Sequence, residues 1–205
     1  MNYGPKDALL VIDVQPDFMP GGALPVAGGA EIVHGIAQLM PSFGTVVCTQ
    51  DWHPNWHKSF ASSHEGKKPY DVVEMYGHPQ TLWPDHCVQG TPGAQLHEGL
   101  PLHHASVIVR KGSDPAVDSY SAFHENYGPN RIRKSTGLLG MLLERGVRRV
   151  FICGLARDFC VLWSAQDCGM TVPTFVLWGL TRSVFPENDA VTEQAFRRAS
   201  VSVER

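Results

Sequence analysis

Val150-Phe151-Ile152-Cys153-Gly154-Leu155-Ala156-Arg157-Asp158-Phe159-Cys160 decides how the rest of the chain is read. An apolar run with the residues of a buried strand stops at a glycine, and Asp158 then reads as the N-cap of a helix. This spacing predicts Cys160 in the first helical turn. Backbone N–H groups there lack intrahelical partners, and the positive end of the helix dipole lowers a thiol pKa. Such a place suits a sulfur nucleophile with oxyanion donors beside it. A buried structural cysteine has the same local signature, so partners elsewhere in the chain must carry the argument.

Working outward, short apolar runs predict strands over 8–12, 45–49, 106–109, 149–153 and 172–177, with a shorter one over 200–203. Helical patterns fall between them over 31–40, 134–145, 160–169 and 187–199. Pro41 ends the first of these helices and Gly146 closes the second. Strands alternating with helices imply right-handed crossovers. The expectation is a single-domain, doubly wound α/β fold over 1–205, with a six-stranded, mostly parallel sheet and helices on both faces. The stretch 51–104 breaks the alternation, being long, weakly periodic and rich in Pro, Gly and His. An insertion of that length in a compact domain is expected to be functional.

Composition narrows the classes. A net charge of −3 without a basic run gives no reason to expect nucleic acid or a membrane surface. No apolar stretch approaches the ~20 residues needed to span a bilayer. Asp7 and Asp13 interrupt the N-terminal apolar run, so a signal peptide is not expected. Five cysteines at scattered spacing argue against a disulfide framework and for a reducing cytoplasm.

Ligands of open parallel sheets bind beyond the carboxyl ends of the strands, and the polar candidates cluster there. Asp13 follows the 8–12 run, where partial desolvation suits a general base. Lys111 ends Val107-Ile108-Val109-Arg110-Lys111, where a cation could hold a thiolate and a carboxylate together and lower both pKa values. Asp51-Trp52-His53 points a carboxylate and an imidazole the same way along an extended segment. With His86, and with His57 four residues beyond His53, this is a ligand set suited to Zn²⁺, Fe²⁺ or Mn²⁺. Eight of the ten histidines lie between His53 and His104, so a chance pair at ligand spacing is cheap. His64, His78, His97, His103 and His104 read as solvated loop residues, and Cys87 as a packed thiol. Phe18, Trp83 and Tyr120 fall in loops at the same edge, where aromatics can clamp a flat ring.

Taken in order, these residues resemble the nicotinamidase/pyrazinamidase family within the isochorismatase-like cysteine hydrolases. The matching blocks are Val11-Ile12-Asp13-Val14-Gln15-Pro16-Asp17-Phe18, Thr49-Gln50-Asp51-Trp52-His53-Pro54 and Leu82-Trp83-Pro84-Asp85-His86-Cys87-Val88-Gln89-Gly90-Thr91-Pro92-Gly93-Ala94. They continue through Arg110-Lys111-Gly112, Asp118-Ser119-Tyr120-Ser121-Ala122-Phe123 and Gly154-Leu155-Ala156-Arg157-Asp158-Phe159-Cys160-Val161. The resemblance implies Cys160 as nucleophile, Asp13 as proton shuttle and Lys111 as third catalytic residue. It implies a cis peptide between Leu155 and Ala156 that aims the amides of Ala156 and Cys160 at an oxyanion. Asp51, His53 and His86 would hold a divalent metal, Zn²⁺ before Fe²⁺ or Mn²⁺, with His57 a candidate fourth ligand. Phe18, Trp83, Tyr120 and Leu155 would contact the substrate. The implied reaction is hydrolysis of nicotinamide, and of pyrazinamide, by a monomer or small homo-oligomer serving NAD salvage. Arg157 departs from the small or hydroxyl residue of many members, and would alter the pocket rim or pair with an acidic neighbour. The rival readings are a metal-free vinyl-ether or carbamoyl-amide hydrolase of the same superfamily, and a non-catalytic metal-binding homologue.

Overall fold

The computed structural model describes residues 3–205. Its main sheet is parallel throughout, in the order β5-β2-β1-β6-β7-β8. The strands are β1 (Asp7–Ile12), β2 (Thr45–Asp51), β5 (Val107–Lys111), β6 (Arg149–Leu155), β7 (Thr174–Arg182) and β8 (Ser202–Glu204). β1 and β2 are buried at every position, as strands covered on both faces must be. Each of Leu9, Leu10, Val11 and Ile12 is fully buried and contributes roughly 1.5–3 kcal/mol by leaving water. Helix α1 (Glu31–Leu39) packs on β6 and β7. Helices α3 (Leu162–Gly169) and α4 (Asp189–Arg198) pack on each other and against β7 and β8. Among the described residues no helix is long and apolar enough to cross a membrane.

The helix expected over 134–145 is shorter, spanning only Leu138–Glu144 (α2). The preceding residues pair with an earlier segment instead: Glu125 N–H donates to the Lys134 carbonyl and Thr136 N–H to that of Phe123. Gly137, at φ 84°, then redirects the chain into α2. The insertion after β2 carries a small antiparallel hairpin, β3 (Val72–Met75) with β4 (His78–Thr81), that periodicity did not announce.

The chain builds outward from β1 to β2 and β5 on one side, then from β6 to β7 and β8 on the other. Strand order therefore reverses between β1 and β6, and the carboxyl ends of these two strands flank the crevice where open α/β sheets take ligands.

Candidate active site

Four strand ends converge on that crevice. Asp51 closes β2 opposite Lys111, which closes β5. Asp13 follows β1, and Gly154 lies beside Ile12 near the end of β6. A Cβ on Gly154 would collide with the Ile12 carbonyl oxygen, and its φ is 106°, so glycine is what allows β6 to approach β1 this closely. The Leu155–Ala156 peptide is cis, as the resemblance implies. Arg157–Val161 then form a π-helical turn ahead of α3, with Cys160 inside it. The Ala156 carbonyl accepts the N–H groups of Phe159 and Val161 at 3.1 and 3.0 Å, and among the described residues no acceptor pairs with the Ala156 N–H.

Lys111 is the hub. Its Nζ lies 2.8 Å from Asp13 Oδ2, 3.1 Å from Asp51 Oδ1, 2.8 Å from the Ser119 carbonyl and 3.4 Å from Cys160 Sγ. Asp13 Oδ1 is held by the Thr49 hydroxyl at 2.6 Å, and Thr49 Oγ1 in turn accepts the Asp13 N–H. Asp13 Oδ2 meets Lys111 as a buried ion pair. The fully buried Asp13 carboxyl is pushed up by its desolvation, Lys111 opposing and Asp51 reinforcing. Burial also drives the Cys160 thiol well up against the pull of Lys111, with Asp13 and Asp51 adding to the rise. Lys111 pulls both groups down, as expected, and burial outweighs that pull at each. Lys111 itself stays charged despite burial, because Asp13, Asp51 and Cys160 surround it.

Beside this cluster, Asp51 Oδ2 lies 3.1 Å from His53 Nε2 and 3.5 Å from His86 Nε2, all three residues being buried. Each histidine meets a backbone carbonyl with its other nitrogen, His53 Nδ1 at Gly112 (2.9 Å) and His86 Nδ1 at Pro84 (2.8 Å). An Nδ1–H donated to each carbonyl leaves each Nε2 with a lone pair, and the ligand atoms of Asp51, His53 and His86 lie within 4.8 Å of one another, a set that fits a divalent cation. Burial favours a neutral Asp51, but His53 and Lys111 outweigh it and hold the carboxyl well below its usual range. His57 stands next to this set, grouped with His53 and Asp118 as a second buried cluster of ligand type. Its Nδ1 accepts the Ser59 N–H at 3.1 Å and its Nε2 faces the Asp114 carbonyl at 2.8 Å.

Cys160 and Ala156 face a cleft walled by Phe18, Trp83 and Tyr120, with Asp51 and His86 also lining it. Trp83 Nε1 and Gln80 Nε2 both donate to the Tyr120 hydroxyl, and the Trp83 ring meets Phe159 edge-on at 4.7 Å. A flat slot over a thiol, with a base and a polar corner at hand, is shaped to hold an aromatic ring while its substituent is attacked.

The isochorismatase domain model matches residues 7–170. The nicotinamidase of Acinetobacter baylyi is 54% identical over 160 residues, which is 78% of this chain and 73% of that protein. The chain belongs to the nicotinamidase/pyrazinamidase family of isochorismatase-domain hydrolases. The structure of the Acinetobacter baumanii nicotinamidase/pyrazinamidase superposes with a TM-score of 0.93 at 40% identity, covering 98% of this chain and 97% of that one. The Pyrococcus horikoshii pyrazinamidase, solved with zinc, gives 0.79 at 32% identity over 98% and 99% of the two chains.

As a nicotinamidase-family chain it departs from the sequence reading at two further residues. Asp158 is not an N-cap: its carboxylate accepts the N–H groups of Val184 and Phe185 at 3.0 and 2.9 Å, pinning the loop after β7 to the Cys160 turn. Leu155 is fully buried and packs toward Gly29 rather than lining the cleft. Arg157 turns away from the cleft rim, donating to Thr181 Oγ1 and to the Trp178 and Thr181 carbonyls and pairing with Asp189. Its guanidinium stacks 3.8 Å above the Trp178 ring. The pairing with an acidic neighbour is what the structure shows. Leu24, Asp118, Phe159 and Val184 also wall the cleft. Of these, Asp118 and Phe159 stand inside the motif blocks and were within reach of the sequence; Leu24 and Val184 have no polar or motif signature.

Proposed function

We propose that this chain hydrolyses nicotinamide to nicotinate and ammonia through a thioester on Cys160. The observation that carries the mechanism is the Lys111 ammonium set between Asp13, Asp51 and Cys160, joining the thiol site to the metal corner. Asp13 takes the thiol proton, and the sulfur attacks the amide carbon. Lys111 stays charged and steadies the anionic groups in turn. The oxyanion is received by the N–H groups of Ala156 and Cys160, a donor of this type being worth about 3 kcal/mol. Asp13 next protonates the nitrogen, because an amide cannot leave as an anion, and the C–N bond breaks to release ammonia. Asp13 then draws a proton from water, which attacks the thioester and frees nicotinate.

Asp51, His53 and His86 would hold a divalent cation, Zn²⁺ by preference, which would supply Lewis-acid chemistry at this corner of the cleft. Phe18, Trp83 and Tyr120 clamp the ring faces and edges. Pyrazinamide carries a nitrogen at the same ring position and is a second substrate. A metal-free hydrolase would have no use for three convergent buried ligand groups, each with its outer hydrogen bond in place. Five unpaired cysteines suit a reducing compartment, the cytoplasm.

The test is ammonia release from nicotinamide by the metal-loaded protein, with Cys160→Ala alongside. Release by the parent chain and a loss of about 10⁴-fold or more in the variant, with bound metal unchanged, supports the reading. Equal release by both overturns it.

A further inference from the structure

A second, small pocket shares Asp118 and Tyr120 with the substrate cleft as lining residues. Met75, Ala116, Tyr127 and Trp163 also line it, Trp163 packing edge-on against Tyr120 at 5.5 Å, and the exposed Pro79 stands at its rim. The partition is held by the buried Gln80. Gln80 Nε2 lies 2.8 Å from Asp118 Oδ2, 2.9 Å from the Tyr120 hydroxyl and 2.8 Å from the Thr81 carbonyl. Three acceptors thus face an amide nitrogen that has two hydrogens. The partition is rich in acceptors and includes a carboxylate, so it favours a small N–H donor. The surrounding aromatic faces also attract a small cation. Arg133, 5.1 Å over the Trp163 ring, is ion-paired with Asp167, so its charge is answered elsewhere.

The chemistry supplies a need for such a route. In the thioester sequence ammonia forms first, while the acyl ring is still bonded to Cys160 and fills the cleft. We propose that ammonia leaves past Asp118 and Tyr120 through this second cavity. The inference rests on the thioester reading given above. By microscopic reversibility the same route admits ammonia from solution: its lone pair attacks the thioester carbon, the C–S bond breaks, and the proton lost from nitrogen returns through Asp13 to sulfur.

The experiment uses the metal-loaded enzyme turning over nicotinamide in ¹⁵N-ammonium, with the label in recovered nicotinamide read by mass spectrometry. Met75→Trp and Ala116→Phe fill the cavity from different sides and leave the thiol, the base and the ligand residues in place. Both are expected to reduce exchange at least tenfold while nicotinate Kd stays within twofold of the parent. Met75→Ala, which leaves the cavity open, is expected to keep parental exchange. Parental exchange in either folded filled variant overturns the proposal. So does a parent enzyme that carries an acyl group on Cys160 yet incorporates no label, since an open route must run both ways. If no acyl group ever forms on Cys160, the thioester reading fails first and takes the route with it.

Discussion

Replacing Lys111 by Met removes one cation from between two buried carboxylates. Asp13 and Asp51 would then stand unneutralised where Nζ had been 2.8 and 3.1 Å from their oxygens. Breaking a buried pair by deleting one partner costs about 3–5 kcal/mol. That is a large part of the roughly 5–15 kcal/mol that holds an ordinary domain together. For a chain of this length it corresponds to a fall in Tm of about 10 °C. The catalytic effect has a definite sign. Burial already raises the Asp13 carboxyl and Lys111 opposes the rise, so removing the lysine drives Asp13 further up. The base is then lost sooner on acidification, and the acid limb of kcat/KM moves to higher pH. Calorimetry on metal-free protein and ammonia-release pH profiles on metal-loaded protein read the two effects separately. Lys111→Arg retains the charge and should recover much of the stability. A Met variant with Tm within 2 °C or so of the parent and an unmoved acid limb would refute the reasoning.

His57→Gln should keep metal stoichiometry and lose about 1–3 kcal/mol of stability through the unsatisfied Ser59 and Asp114 groups, whereas His86→Ala should lose the metal; elemental analysis with denaturant titration separates them. Gly154→Ala forces a Cβ against the Ile12 carbonyl at a left-handed backbone, and is expected to cost 3 kcal/mol or so in urea unfolding, or to prevent folding. The Asp167 carboxyl is lowered because Arg133 outweighs its burial. Its stabilisation is present above the unfolded carboxylate value of about 3.9 and is lost as pH falls through the lower folded value. Asp167→Asn should therefore be less stable near neutrality by about 1.5–3 kcal/mol and show a flatter acid limb of stability.

The site was legible where one strand end dictates one side chain. Asp13, Asp51, Lys111 and Cys160 each follow from a short apolar run that stops, and the sheet brings such ends together. What escaped depends on register and on distant partners. That Lys111 touches Asp51 requires β5 to pair with β2 in the observed register, which no local pattern specifies. Asp158 has the composition of a helix cap, yet the 184–185 amides claim its carboxylate. His57 has ligand spacing, and Ser59 and Asp114 meet its nitrogens. Ser135 and Thr136 are weak helix formers ahead of Gly137, and residues 134–136 pair with 123–125 instead, where their backbone groups find partners.

The most direct measurement is intact-mass and peptide analysis of the metal-loaded enzyme, acid-quenched within milliseconds of mixing with nicotinamide. A nicotinoyl group on the peptide bearing Cys160, appearing before nicotinate and absent from Cys160→Ala, is the expected result. Steady ammonia release with no acyl group on that peptide at any quench time would contradict the account.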